Sequence, residues 1–137
     1  MLIISHRGNL NGPTPELENN PDHITQVLKK YHVEVDVWKI NDWVYLGHDE
    51  PQYVIYDEFF KHKRLWCHAK NIEAFEYLIK KKTKCFYHNT DDYTLTSNGY
   101  VWTFPGKPVI KRSIIVDKSK DWKKKNYECY GVCVDYV

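Results

Sequence analysis

The chain has no long apolar run. No stretch approaches the roughly 20 residues that cross a bilayer as a helix, so no transmembrane segment is expected. It also lacks a basic segment followed by an extended apolar one at its start. Met1 leads straight into Leu2-Ile3-Ile4 and then into charge, and without the marks of a secretory leader the expected location is cytoplasmic. The four cysteines, Cys67, Cys85, Cys129 and Cys133, contain no CxxC pair, which argues against a zinc ribbon. Three of the four lie in apolar runs and read as buried free thiols. Charge of one sign is not in excess either. Twenty Lys and Arg stand against 18 Asp and Glu, a net charge of +2, and nucleic acid is not the favoured partner on that balance. There is no internal repeat and no low-complexity tract.

What the chain does have is aromatic bulk: eleven Tyr, five Trp and five Phe in 137 residues. That suffices for one core and a single domain, 1–137. The stretch Val33 to Asp49, VEVDVWKINDWVYLGHD, organises the rest. Strand side chains return to the same face every second residue, so Glu34 and Asp36 point one way and Val33, Val35 and Val37 the other. Two acids on one face of a valine-rich strand are unfavourable unless a positive charge sits between them. A divalent cation answers this, because hard cations take carboxylate oxygens. The other answer is a structural network in which Glu34 and Asp36 pair with Arg7 and Lys70.

Leu2 to Ser5 reads as a strand ending in His6-Arg7-Gly8, and Asn9 to Asn20 as a loop. Asn20-Pro21-Asp22 looks like an N-cap with proline at the first helical position, and Ile24, Val27, Leu28 and Tyr31 follow at helical spacing. Strands are expected at Val33–Trp38, Trp43–Leu46, Leu65–Lys70, Cys85–His88, Tyr100–Phe104, Ser113–Asp117 and Tyr130–Val137, about seven by period and turn signals. A helix should follow Asn71, with Lys80 to Lys84 as its solvated end. Asp91 to Gly99 reads as polar turns. Polar groups recur at the carboxyl ends of the strands, where a β/α barrel keeps its active site. The expected fold is therefore α/β, a small or stripped-down (β/α) TIM-type barrel with several outer helices shortened or missing. Strand faces left uncovered by that shortening make a homodimer an expectation.

His6-Arg7-Gly8, Glu34-x-Asp36-Val37 and His48-Asp49, in that order, resemble the glycerophosphodiester phosphodiesterase family, metal-dependent enzymes on a TIM barrel. Pro15-Glu16-Leu17-Glu18-Asn19 is similar to the family's Pro-Glu-Asn segment in loosened form, and Gly131 to Asp135 to its closing strand. Where the family has Glu-x-Lys, this chain reads His68-Ala69-Lys70, so the lysine matches and the glutamate does not. The resemblance implies Glu34 and Asp36 as ligands of Mg²⁺ or Ca²⁺. It implies His6 and His48 as the acid-base pair, and Arg7 and Lys70 as holders of the phosphate oxygens. His68 stands at the third ligand position. An imidazole there suits Mn²⁺ or Zn²⁺ better than calcium. The implied substrate is a small or lipid-derived phosphodiester. Two alternatives remain: a non-catalytic phosphate- or metal-binding relic, and a nucleic-acid binder using the basic Lys118–Lys125 segment with Trp122 as a stacking platform.

Overall fold

The computed structural model describes all 137 residues. Ten strands form one sheet: β1 (Leu2–His6), β2 (His32–Ile40), β3 (Trp43–Leu46), β4 (Tyr53–Ile55), β5 (Leu65–Ala69), β6 (Cys85–Tyr87), β7 (Tyr93–Leu95), β8 (Val101–Thr103), β9 (Ser113–Asp117) and β10 (Gly131–Val134). Seven of them run parallel in the spatial order β6-β5-β2-β1-β10-β9-β8. The hairpin β3-β4 continues antiparallel from the far half of β2, and β7 lies antiparallel on β8.

This overturns the TIM-type barrel expected from the sequence. The sheet is a curled, mixed half-barrel, and its parallel end strands β6 and β8 share no ladder. Only two α-helices exist, α1 (Pro21–Val27) and α2 (Ile72–Lys80), of seven and nine residues. The connections explain the difference. A hairpin and a single 3₁₀ turn carry the chain from β2 to β5, and no helix at all joins β8 to β9. Two short strands also lie outside the expected set. β4 was not signalled by any alternation, and β7 falls in the stretch read as polar turns. The last strand stops at Val134, short of Val137.

The helices form where their caps allow. Asn20 accepts from the backbone N–H of Asp22 and His23 at the start of α1, and Asn71 accepts from Ala74 N–H at the start of α2. Both helices cover the outer face of the sheet, where Val33, Val35, Val37, Leu65 and Cys67 pack with Ile24, Ala74 and Leu78. The inner, concave face carries Ile4, Trp66, Phe86, Trp102, Ile114 and Cys133. Phe86 of β6 and Trp102 of β8 stack at 4.2 Å across the seam, where β6 and β8 share no ladder but Ser97 N–H donates to the Cys85 carbonyl at 2.8 Å and Thr94 Oγ1 to the Tyr87 carbonyl at 3.1 Å. All four cysteines are free and three are fully buried.

The basic Lys118–Lys125 segment is anchored rather than free. Trp122 is buried and its Nε1 donates to the Tyr136 carbonyl at 2.6 Å, so it offers no platform for stacking. Asp117 accepts from Ser119 N and Oγ, Lys125 Nζ and Tyr127 Oη at 2.6–2.9 Å. Burial pushes the Asp117 pKa up, but these donors outweigh it and hold the carboxyl at about 2. A folded pKa below the unfolded carboxylate value means that this stabilisation is complete above pH ~4–5 and is lost as pH falls through about 2. Asp117→Asn is expected to lower stability by about 1–3 kcal/mol at pH 7 and to flatten the acid limb of the stability profile. Urea melts at pH 7 and pH 3 check this. An unchanged midpoint at pH 7 would show that the cluster contributes nothing.

Candidate metal-assisted active site

Parallel strands bring their carboxyl ends to one rim, and register then decides which side chains meet there. His6 of β1 stands beside Glu34 of β2, and Asp36 of β2 beside His68 of β5. All four are inward-facing positions. Lys70 follows β5 directly, His48 follows β3, and Arg7 follows β1. These seven residues line one cavity of about 330 Å³ together with His88, Trp102, Phe104 and Lys118. The predicted site residues are thus all in one place.

Arg7 and Gly8 turn the chain sharply, with φ of +56° and +89°. A Cβ on Gly8 would lie 2.7 Å from Ile24 Cδ1 and meet His23, whose Nε2 donates to the Gly8 carbonyl at 2.8 Å. Glycine is therefore required there, and the turn sends the Arg7 guanidinium back over the cavity.

Glu34 and Asp36 are almost fully buried, at 3% and 1% exposure. Burial and the neighbouring Asp36 push the Glu34 pKa well above its usual value, and its Oε2 has no hydrogen-bond partner. Asp36 is held the other way. Burial opposes ionisation, but His68, Arg7 and Asn19 outweigh it and keep the carboxyl below the usual range. Its Oδ2 accepts from Asn19 Nδ2 at 3.0 Å. Its Oδ1 has no hydrogen-bond partner. His68 Nδ1 approaches Oδ1 to 3.2 Å, and Arg7 Nε approaches Oδ2 to 3.2 Å, yet neither aligns as a hydrogen bond.

The tautomer of His68 is set at its outer nitrogen. Its Nε2 lies 3.4 Å from the His88 carbonyl, which can only accept, so Nε2 carries a proton. Nδ1 faces Asp36 Oδ1 at 3.2 Å. As an imidazolium the ring meets that carboxylate with a positive charge, the sense in which it lowers the Asp36 pKa; as a neutral ring it turns a lone pair toward the same space, where a cation could accept both. Glu34, Asp36 and His68 each offer one such atom, and the three lie within 4.8 Å of one another. The residues present fit a divalent ion: two buried oxygens without partners and one imidazole nitrogen, with open cavity on the remaining side.

The two other histidines are oriented by carboxylates. His6 Nδ1 donates to Asp135 Oδ1 at 2.8 Å, and Asn9 Nδ2 donates to the same oxygen at 2.8 Å. These bonds pull the Asp135 pKa down against the effect of burial. His48 Nδ1 donates to Asp49 Oδ1 at 2.7 Å. Burial, then the neighbouring Arg7, lowers the His48 pKa. Both rings keep Nε2 free. His6 Nε2 lies 3.9 Å from Glu34 Oε2. His88 stacks on His68 at 4.6 Å and is held neutral, with its pKa lowered to about 4 by burial and by the charges of His68 and Lys70.

Four contributors went unassigned in the sequence. Asp135 continues the inward alternation of β10 by one step past Val134, which is a signal that alternation alone can supply. Asn19 clamps Asp36 from both sides, as its Oδ1 also accepts from Asp36 N at 2.9 Å. Asn19 and Glu18 belong to the Pro15–Asn19 segment, but their inward reach depends on how the loop folds back. His88 gave no signal beyond being a strand-end histidine.

No family model, curated protein or solved structure matches this chain.

Proposed function

We propose that the chain is a metal-dependent phosphodiester hydrolase acting on small or lipid-derived diesters. The observation that carries this reading is the pair of buried, unpartnered carboxylate oxygens on Glu34 and Asp36, facing one cavity with two carboxylate-oriented imidazoles. Glu34, Asp36 and His68 would hold Mg²⁺ or Mn²⁺. A bound divalent ion supplies Lewis acidity toward the phosphoryl oxygens. Arg7 and Lys70 bind the non-bridging phosphate oxygens and neutralise their charge. Lys70 forms no ion pair of its own and is free for this task. His48, its pKa lowered, is unprotonated at neutral pH and suits the proton acceptor at the attacking hydroxyl. His6, whose Nδ1 donates to ionised Asp135, suits the donor to the leaving alcohol through Nε2.

Hydrolysis of a diester panel by the full chain, with Mg²⁺, Mn²⁺, Ca²⁺ and Zn²⁺ titrated in turn, tests this reading. Saturable metal-dependent turnover is expected. No turnover with any ion on any diester would reject it. Lys70→Met is expected to lower kcat/KM about 10–100-fold, mostly through KM, since it removes one charged contact to phosphate. An unchanged KM would remove Lys70 from the phosphate site.

A second reading keeps the ion and drops the chemistry. Arg7, 3.2 Å from Asp36, already offsets part of the site's negative charge, as a binding relic would tolerate. Metal binding without turnover across the panel would favour it.

A further inference from the structure

The opposite end of the sheet has a character of its own. Parallel strands that gather the cavity at their carboxyl ends gather a second set of segments at their amino ends. There, the segments before β2, β5, β6 and β9 (29–30, 61–64, 80–84 and 111–112) hold eleven of the 20 Lys and Arg and no Asp or Glu, while the segment before β10 adds one exposed carboxylate, Glu128. The near-neutral total hides this separation. Lys61, Lys80 and Lys81 are paired with Glu58, Glu76 and Asp57. The other eight form no ion pair; among them are Lys63, Arg64, Lys82 and Lys84 on one flank and Arg112 on the other. The dipole of α2 accounts for cations at its own end but not for those before β5 and β9.

The surface is concave rather than flat. A recess of about 230 Å³ between the starts of β5 and β6 is lined by Lys61, His62, Lys63, Lys82 and Lys84, with no carboxylate. Lys84 is pinned there, its Nζ donating to the Lys63 carbonyl at 2.5 Å and lying 4.5 Å from the Trp66 ring centre. Aromatic contacts carry the line across the mouth. Trp66 meets Tyr100 edge-on at 6.0 Å, Tyr100 stacks on Tyr130 at 4.0 Å, and Arg112 covers Tyr100 at 4.6 Å.

We propose that this basic, aromatic-lined mouth is a docking surface for single-stranded nucleic acid. Unpaired cations at the starts of neighbouring strands follow a phosphate chain, and the recess admits protruding phosphates. The Tyr100–Tyr130 pair, with Tyr130 exposed at one side, gives bases a face to stack on. The recess exposes no aliphatic side chain, although Ile79 and Ile110 stand exposed beside the basic segments, so the vesicle arm of the test separates a nucleic acid from a bilayer surface. The inference does not rest on the catalytic reading, since none of these residues lines the cavity at the other rim.

The test is fluorescence anisotropy with a labelled 12-nucleotide single strand and the full chain. Binding at 50 mM salt is expected, with affinity falling roughly 50-fold by 200 mM if about four phosphates are contacted. The double variant Lys63→Glu/Lys82→Gly is expected to bind at least about tenfold more weakly at 50 mM salt, because it removes two of those contacts. Lys82 has φ of +56°, which glycine accepts readily, so the fold should survive, as circular dichroism will show. Lys123→Glu/Lys124→Glu is expected to bind as the parent does. No binding at 50 mM salt, or equal binding by the Lys63/Lys82 variant, would overturn the proposal. Binding to phosphatidylserine vesicles but not to the oligonucleotide would overturn it in favour of a membrane surface.

Discussion

Glu34→Gln is expected to abolish metal binding and to lower kcat on the order of 10³-fold, while the metal-free protein stays at least as stable as the parent. The two halves of this result have one cause. In the metal-free chain the Glu34 charge is a liability, because the side chain is buried beside Asp36 and its Oε2 has no partner. The amide has the same shape, removes the repulsion and keeps the packing. With a cation present, the same change removes an anionic ligand. A structural ion-pair network makes the opposite demand. If Glu34 were held in place by Arg7 and Lys70 for stability, removing its charge would strand buried cations at about 3–5 kcal/mol. Urea melts with and without Mn²⁺ separate the two. The metal-bound parent should be stabilised and the variant should not respond to the ion.

His6→Ala is expected to lower kcat about 10²–10⁴-fold on an alkyl diester, with metal affinity retained. The loss should shrink to a few-fold on a nitrophenyl diester, whose leaving group departs without a proton, in keeping with a donor role. His48→Ala should lose activity on both substrates, since an acceptor at the nucleophile is needed whatever leaves. Asp135→Asn keeps the bond to His6 but removes the charge, and about 10–100-fold of the His6 effect is expected from it. Equal losses on both diesters for His6→Ala would reverse the assignment of the two histidines.

The inward face of the site was readable from alternation. Glu34 and Asp36 had to share a face because Val33, Val35 and Val37 needed the other, and the structure puts that valine face against α1 and α2. Parallel strands followed from strand-helix alternation in the first half. The barrel did not follow, because closure depends on long-range pairing. The chain between Phe86 and Trp102 returns through the short strand β7 rather than a helix, and β6 and β8 meet by a ring stack at 4.2 Å instead of a ladder. Alternation cannot see such a gap. That Arg7 pairs with Asp36 was one of the two answers the charges offered, but the turn that brings it there, with positive φ at Arg7 and Gly8, left no mark in the alternation. Trp122 misled for a related reason: a tryptophan among lysines looks exposed until the loop folds it under Tyr136.

The most direct measurement is anomalous diffraction from crystals grown with Mn²⁺. The expected result is a single strong peak about 2.0–2.3 Å from Glu34 Oε2, Asp36 Oδ1 and His68 Nδ1, with His6 and His48 on either side of the cavity. A map with no peak there, and with Arg7 drawn down onto both carboxylates, would contradict the metal site and leave a structural ion-pair cluster in its place.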